Sequence, residues 1–319
     1  MKTTIRWGVL GNGLIARDYM IPAMLRSEVC CLTAIASRSR LADDYLPGVR
    51  HYCGEGAYDA LLADPEIDAI YMPFPNALHA DWSIRAMERG KHVLCEKPMS
   101  CTRAEGERMV RSAQQNGTVL MEAFMYRYGG KFALLRRILD EGTLGEIRGM
   151  QGNHGYTLDW ASPAREDPAL GGGCLYDVGC YVVDCMNYIM GREGATAVKA
   201  ASCLRKKGGV DWHAGCALQY DNGVTASLQS WFDAASEQRV MITGTKGTLT
   251  IPNLFEPGDG EAVLDVGGAV TRIATHDEKD LYQLEAEIFS RRLLGENVEL
   301  IPLEDTLRNL QTLELLLRE

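Results

Sequence analysis

The sequence predicts two domains, an N-terminal α/β domain built on a parallel sheet and a C-terminal α+β domain built on an antiparallel sheet. Up to residue 124, short apolar runs alternate with helix-compatible segments, which is the pattern of βαβ units. From Glu146 onward, long strand-like runs are separated by turns such as Asp221-Asn222-Gly223, a hairpin pattern. The predicted domains are therefore residues 1–124 and 125–319. Closing helices, over Glu278–Leu294 and Leu303–Arg318, are expected to pack back on the first domain.

The first forty residues contain the most informative turn. An apolar strand, Ile5–Leu10, runs into two glycines spaced one apart and then into a helix-compatible stretch, Leu14–Arg26. The first glycine permits a tight turn, the second lets the backbone approach a pyrophosphate, and the helix N-terminus supplies N–H donors. Glycines are common in ordinary turns, but the strand before and the helix after are the context that the dinucleotide motif requires. The sequence thus predicts a Rossmann opening whose cofactor-binding residues are Gly11, Asn12, Gly13, Leu14 and Ile15.

Composition and charge exclude several classes of partner. The chain has 319 residues, of which 46% are hydrophobic and 24% charged, so it is long enough for about two globular domains. A formal net charge of −10 argues against nucleic acid or an anionic membrane as a partner. No signal-peptide core and no apolar run long enough to span a membrane is visible, which favours a cytoplasmic location.

Ten cysteines are a high count, but no two of them are spaced as C-x-x-C. Several lie in apolar strand-like runs, where free thiols behave as small hydrophobes. The spacing of Cys174, Cys180 and Cys185 lacks zinc-ligand character. We therefore expect reduced thiols and no metal site.

The end of the second strand bears on cofactor choice. The strand over Cys30–Ala36 is followed by Ser37 and Arg38, and no acidic residue occurs before Asp43. A site that selects NAD places Asp or Glu near this strand end, whereas a hydroxyl and a guanidinium suit the 2′-phosphate of NADP. The alternative is that Arg38 is an ordinary solvent-exposed loop residue. The missing carboxylate favours NADP(H) over NAD.

After a short strand near Arg50–Cys53, a further strand, Ile67–Met72, also ends in a polar segment. Pro73 stops the strand, and Asn76 and His79 follow at the carboxyl edge of the sheet. Ligands bind at this edge in open parallel sheets, so all three are predicted to contact the cofactor. The alternative for His79 is a residue at a helix N-terminus that has no partner.

The next strand, Lys91–Cys95, is followed by Glu96, Lys97 and Pro98. A lysine at a strand tip could point into the nicotinamide cleft. Alone, however, a lysine beside a glutamate is most often a surface pair. The sequence leaves both interpretations open at this point.

The other informative stretch begins at Gly171-Gly172-Gly173. From Cys174 to Met190 nearly every residue is apolar, so a buried helix is predicted. Asp177, Tyr181 and Asp184 are spaced four and three apart, which places them on one face. A buried carboxylate is costly unless it is paired. The expected partner of Asp177 is a cation or hydrogen-bond donor from elsewhere in the chain, with Lys97 as a candidate, or else backbone amides near the glycines.

Three motifs together, Gly8-x-x-Gly11-x-Gly13, Glu96-Lys97-Pro98 and the stretch from Gly171 to Asp184, resemble the glucose–fructose oxidoreductase/inositol dehydrogenase (Gfo/Idh/MocA) family. The resemblance extends over essentially the whole chain. It implies an N-terminal Rossmann domain and a C-terminal open, mainly antiparallel mixed sheet that serves partly for oligomer contacts. A homodimer or homotetramer is therefore expected.

The resemblance also implies hydride transfer between a pyridine nucleotide and a carbinol of a sugar or cyclic polyol. Lys97 matches the catalytic lysine of the family and Asp177 its cleft aspartate. Tyr181, where the family more often has His, resembles the branch of glucose–fructose oxidoreductase, aldose dehydrogenases and dimeric dihydrodiol dehydrogenases. Arg127 and Arg165 fall where members line the nicotinamide and substrate cleft.

These residues suggest two variants of one mechanism. Tyr181 could exchange the proton of the substrate hydroxyl, with the Lys97 ammonium lowering a phenol pKa of ordinarily about 10. Alternatively, Lys97 transfers the proton and Tyr181 relays it. In both, Asp177 orients Lys97 or the substrate hydroxyl, and Glu96 helps to seat the cofactor.

The substrates that fit are aldoses, anhydro-sugars, aromatic dihydrodiols and inositols, in falling order of expectation. A non-catalytic NADP(H)-binding sensor or regulator is the alternative function. It would need the glycine turn but not the lysine, aspartate and tyrosine together, so the sequence favours an enzyme.

Overall fold

The computed structural model describes residues 3–42, 44–192 and 198–318. The chain forms two compact units. The first comprises Met1–Ser100, Ala104–Met125 and Tyr282–Leu303, and the second comprises Cys101–Arg103, Tyr126–Leu281 and Glu304–Glu319.

Strands and helices occur in both units. In chain order, the strands are β1 (Ile5–Leu10), β2 (Cys30–Ser37), β3 (Arg50–Cys53), β4 (Ala69–Met72), β5 (His92–Glu96), β6 (Leu120–Ala123), β7 (Ile147–Gly155), β8 (Val198–Lys207), β9 (Val210–Tyr220), β10 (Thr225–Trp231), β11 (Glu237–Gly244), β12 (Gly247–Pro252), β13 (Gly260–Val266) and β14 (Ala269–Thr275). The α-helices are α1 (Ile21–Arg26), α2 (Ala57–Ala63), α3 (His79–Met87), α4 (Arg103–Asn116), α5 (Gly130–Asp140), α6 (Pro163–Glu166), α7 (Cys180–Arg192), α8 (Leu281–Leu293) and α9 (Leu303–Leu317).

The sheet of the first unit has the strand order β3-β2-β1-β4-β5-β6, and all of its pairings are parallel. This is the order of a Rossmann fold, which confirms the predicted class. The order reverses beside β1, which pairs with β2 on one side and β4 on the other. Since ligands bind at the carboxyl ends of the strands near this reversal, the segments after β1 and β4 are placed for a cofactor.

The helix predicted after the glycine turn is present, but it is not α-helical throughout. A π-helical turn, Ala16–Met20, precedes α1. π-helical turns are rare and frequently occur at functional sites. The segment after β4 likewise starts as a 3₁₀ turn, Asn76–Leu78, before α3.

The sheet of the second unit has the order β14-β13-β12-β11-β7-β10-β9-β8. β7 and β10 run parallel, and the other neighbours are antiparallel. The predicted mainly antiparallel mixed sheet is therefore confirmed. The hairpin of β13 and β14, which turns at Gly267 and Gly268 with φ of 60° and 87°, was not predicted. One of the strand-like runs that the sequence predicts after Glu146 covers Thr196–Cys203, and its start at Thr196 lies outside the described residues.

The helix after the three glycines packs closely on this sheet. Its first part is a π-helical turn, Leu175–Gly179, and its second part is α7. On β7, a Cβ at Gly152 would come within 2.5 Å of the Val182 side chain, so only glycine lets the helix approach this closely. The predicted burial of the helix is confirmed, since almost all of α7 is inaccessible to solvent.

Candidate active site

The glycine turn of the first unit leaves room for a ligand backbone. Gly11 has a φ of +113°, which L side chains rarely adopt, and its N–H donates to the Ala36 carbonyl at 2.8 Å. A Cβ at Gly13 would meet no atom within 4 Å. The turn therefore combines a backbone conformation that favours glycine with open space at the second glycine, which fits the phosphates of a dinucleotide.

The end of β2 carries the residues predicted to choose the cofactor. Ser37 is buried, and its hydroxyl accepts the N–H of Ser39 at 3.2 Å. Arg38 is exposed and lies beside Tyr58. Burial raises the pKa of the Tyr58 hydroxyl, and the positive charge of Arg38 opposes that rise in part. The exposed guanidinium is compatible with both interpretations of Arg38.

His79 is fully buried and has two partners, so the alternative of a partnerless helix residue is wrong. Its Nδ1 lies 2.9 Å from the Pro98 carbonyl and its Nε2 lies 2.7 Å from the Phe74 carbonyl. Burial lowers the His79 pKa to about 4, the two hydrogen bonds oppose that shift, and the charge of Lys97 adds to it. The ring thus connects the segment after β4 to the segment that carries Lys97. Its contact with a cofactor stays a prediction.

Glu96, at the end of β5, is half-buried and held from two sides. Tyr71 donates its hydroxyl to Oε1 at 2.5 Å, and the backbone N–H of Lys97 donates to Oε2 at 3.3 Å. Burial, together with the charge of Glu96, raises the pKa of the Tyr71 hydroxyl well above its usual value. These contacts fix the backbone at the strand tip that presents Lys97.

In the second unit, Asp177 accepts hydrogen bonds from Arg165 and Tyr156. Arg165 Nε donates to Oδ2 at 2.8 Å, and the Tyr156 hydroxyl donates to the same oxygen at 2.6 Å. Burial and the charge of Asp177 raise the pKa of Tyr156. The Arg165 pKa is also raised, because the attraction of Asp177 outweighs burial. The predicted cation from elsewhere in the chain is therefore present as Arg165. Acceptance of backbone amides near the glycines by Asp177 stays a prediction.

Tyr181 is buried in a cluster of aromatic rings. Its ring centroid lies 5.4 Å from His154, 5.6 Å from Phe255 and 5.9 Å from Tyr126. His154 in turn stacks on Phe255 at 5.4 Å. Such packing restricts the orientation of the phenol ring.

Asp184 belongs to a different set of contacts. It is inaccessible to solvent, and it accepts bonds from Arg127 at 2.6 and 2.9 Å, from Asn309 at 2.7 Å and from the Tyr126 hydroxyl. Arg127 also lies 3.4 Å from Asp305. Burial by itself would lower the Arg127 pKa, because it disfavours the charged guanidinium. The attraction of Asp184 outweighs this effect and raises the Arg127 pKa well above its usual value. These contacts give Arg127 a structural role, and its contact with substrate stays a prediction.

Sequence spacing placed Asp177, Tyr181 and Asp184 on one helical face. Tyr181 and Asp184 do share Tyr126 as a neighbour, whereas Asp177 has other partners. Spacings of four and three place residues on one face of an α-helix. The residues around Asp177 form a π-helical turn instead, which has more residues per turn, so the side chains are rotated away from that common face. Lys97 belongs to the first unit, and its meeting with Asp177 and Tyr181 stays a prediction.

Several residues beside the candidate groups were missed from the sequence. Tyr156, directly after β7, binds Asp177, and Asp211 accepts the Leu175 N–H at 2.7 Å and so caps the π-helical turn. A Cβ at Gly173 would come within 2.1 Å of Asp211, which explains the last glycine of the triplet. An aromatic residue at the end of a predicted strand was the available signal for Tyr156. Asp211 had none.

The structure also bears on metal and membrane interactions. Within residues 3–42, 44–192 and 198–318, no cluster of three or more His, Cys, Asp or Glu side chains is arranged to hold a metal ion. Over the same part of the chain, no helix is both long and apolar enough to cross a membrane. All ten cysteines are free thiols.

Two family models match the chain. Residues 5–124 match the oxidoreductase family with an NAD-binding Rossmann fold, and residues 132–250 match the GFO/IDH/MocA C-terminal domain. Together these matches cover most of the chain.

Individual proteins match over much or nearly all of their length. The chain is 35% identical to D-xylose 1-dehydrogenase (NADP(+)) 2 of Haloferax volcanii, over 97% of this chain and 95% of that protein. It is 31% identical to trans-1,2-dihydrobenzene-1,2-diol dehydrogenase of Mus musculus, over 79% of this chain and 76% of that protein. Among solved structures, KijD10, a 3-ketoreductase from Actinomadura kijaniata in complex with NADP and TDP-benzene, superposes with a TM-score of 0.89 at 28% identity, over 98% of this chain and 97% of that one.

Proposed function

Because the chain belongs to the GFO/IDH/MocA family of oxidoreductases, we propose that it is an NADP-dependent enzyme that moves a hydride between the nicotinamide and a carbinol or carbonyl carbon of a sugar. The observation on which this rests is the Asp177–Arg165 pair, held by Tyr156 one helical turn before the phenol of Tyr181. A carboxylate held by a guanidinium and a phenol that could exchange a proton are thus only four residues apart in the chain.

The cofactor would be held by the first unit. Gly11 and Gly13 provide the open turn for the pyrophosphate, and Ser37 and the exposed Arg38 would contact the 2′-phosphate of NADP. Pro73 and Asn76, which follow β4 at the carboxyl edge of the sheet, would also contact the cofactor. A bound nicotinamide supplies the hydride donor or acceptor. A relative that is named for NADP(+) and one solved with NADP support this choice.

Lys97, Tyr181 and Asp177 would handle the substrate proton. During oxidation Tyr181 takes the proton of the substrate hydroxyl and during reduction returns it, with the Lys97 ammonium favouring the phenolate. In the alternative, Lys97 transfers the proton and Tyr181 relays it. Asp177, held by Arg165, would orient the substrate hydroxyl.

Aldoses are the preferred substrate class, followed by anhydro-sugars, aromatic dihydrodiols and inositols. The named activities of the xylose dehydrogenase and the dihydrodiol dehydrogenase support sugar and diol substrates. A homodimer or homotetramer in the cytoplasm completes the proposal. The sheet of the second unit has an open concave face, which includes Asn153 and Gln229, and this face would supply the subunit contacts.

A turnover screen of the purified protein with NADP⁺ and NAD⁺ against these four substrate classes tests the function. Lys97→Met should lower kcat/KM on the best substrate by about 10²- to 10⁴-fold, the usual contribution of an acid–base group. Lys246→Met, at an exposed position in the turn between β11 and β12, is the matched control and should leave turnover unchanged. Full turnover by Lys97→Met would contradict both variants of the mechanism. Cofactor binding without turnover of any substrate class would instead indicate a sensor.

A further inference from the structure

One tryptophan of the second unit is exposed beside the candidate site. Trp160 is 46% exposed, whereas Trp212 and Trp231 in the same unit are buried. One face of its indole stacks on the Tyr156 ring, with centroids 5.7 Å apart and an interplanar angle of 10°. A large apolar ring covered on one side and open on the other is suited to receive a flat apolar partner.

The segment that carries Trp160 is anchored to the sheet. The backbone N–H of Tyr156 donates to the Trp231 carbonyl at 3.0 Å, and that of Leu158 donates to the Phe232 carbonyl at 2.9 Å. The Thr157 hydroxyl adds a bond to a carbonyl of the same neighbouring segment. The backbone that leads to the indole is therefore held in place before a ligand binds, which reduces the entropy lost on binding.

The aromatic stack is continuous with the charged pair. The Tyr156 ring supports the indole, while its hydroxyl donates to Asp177, which also accepts from Arg165. One residue thus joins an exposed apolar surface to a carboxylate and a guanidinium. An apolar wall with a few convergent polar groups is the usual composition of a small-molecule site.

We propose that the open face of Trp160 is a stacking subsite for the C–H face of a six-membered sugar ring whose hydroxyls turn toward Asp177 and Arg165. Trp160 is then a specificity-determining residue for cyclic sugars. An acyclic polyol offers the same hydroxyls but no continuous apolar face, so it loses this contact. The proposal rests on the proposed function, since it assigns the substrate class of that site.

Steady-state kinetics of the full chain with saturating NADP⁺ tests the subsite. Trp160→Ala should raise KM for an aldopyranose about two- to tenfold, the range of a single aromatic stacking contact, and leave kcat and the KM for NADP⁺ unchanged. Trp160→Phe should retain most of the affinity. For an acyclic polyol of the same carbon number, Trp160→Ala should leave KM unchanged. Val270→Ala, at a 62% exposed apolar position of β14, is the control and should behave as the parent protein.

Tryptophan fluorescence supplies a readout that does not depend on turnover. Titration with the aldopyranose should quench the parent protein and not Trp160→Phe. An unchanged aldopyranose KM in Trp160→Ala overturns the subsite, and so does a change in oligomeric state on size-exclusion chromatography, which would place the indole in a subunit interface. If the parent protein turns over sugars but Trp160→Ala is equal to it, only the subsite fails. If the parent turns over no sugar, the proposed function itself fails.

Discussion

Two aspartates on one buried helical segment, Asp177 and Asp184, have opposite surroundings. Asp184 is inaccessible to solvent and accepts bonds from Arg127, Asn309 and Tyr126. The Asp177 side chain is 15% exposed and accepts from Arg165 and Tyr156. Two aspartates seven positions apart thus differ in exposure: the Asp184 carboxylate is shielded from solvent, and the Asp177 carboxylate is in part accessible to it.

This contrast shows how one helical segment serves both the fold and the site. A carboxylate removed from water is tolerated only when donors replace its hydration, as they do at Asp184. Removing any of those donors weakens the compensation of a buried charge. At Asp177 water replaces part of the lost interaction, so the same carboxylate can serve binding or catalysis at little cost in stability. Variants of the two residues can test this division.

The largest effect is expected at Asp184. Asp184→Ala leaves the Arg127 guanidinium buried beside a single, more distant carboxylate, so the free energy of unfolding should fall by about 3–5 kcal/mol. Urea unfolding measures this directly. The double variant Asp184→Leu with Arg127→Met, which removes both charges, should recover most of the loss. A single variant within about 1 kcal/mol of the parent would contradict the assigned structural role.

Asp177→Asn should lower activity strongly and stability little, the opposite of what is expected at Asp184. Loss of the charge-assisted bond from Arg165 should lower kcat/KM about 10- to 100-fold on the best substrate. The free energy of unfolding should change by at most about 1 kcal/mol, because the pair is partly exposed. Asp159→Asn, in the exposed segment nearby, should alter neither quantity. Equal losses of stability in the Asp177 and Asp184 variants would remove the distinction between them.

A third carboxyl, Glu285 on α8 of the first unit, extends the contrast because it is fully buried and its oxygens have no hydrogen-bond partner among the described residues. Burial, and then the charge of Glu96, raise its pKa well above the ordinary 4.5. The folded state therefore keeps a proton that the unfolded chain releases. As pH rises from 4.5 toward the raised pKa, stability should fall by about 1.4 kcal/mol per pH unit.

Glu285→Gln, which is neutral at every pH, should flatten this dependence. Urea unfolding of both proteins at several pH values between about 5 and 8 gives the two slopes. Equal slopes would show that Glu285 is ionised in the folded protein and that its charge is compensated.

The N-terminal half could be predicted from the sequence in detail. β1 and β3 begin and end where the sequence pattern places them, and Gly11 takes the positive φ that the tight turn of the motif requires. Strand patterns and turn glycines are local properties, so no distant residue is needed to recognise them. The hairpin of β13 and β14 escaped prediction because β14 is almost entirely exposed and lacks an apolar alternation, although its Gly267-Gly268 turn was a readable signal.

The residue patterns alone predicted the Rossmann half, the strand-rich second domain and the residue types available for chemistry, whereas the mixed character of the second sheet was implied by the family resemblance. Which donor each carboxylate receives could be known only from the folded protein. Asp177 is paired across 12 positions of the chain, whereas Asp184 is paired across 57 and 125. Burial and ion pairing depend on residues that are brought together by packing, and the spacing of one helix contains no information about them.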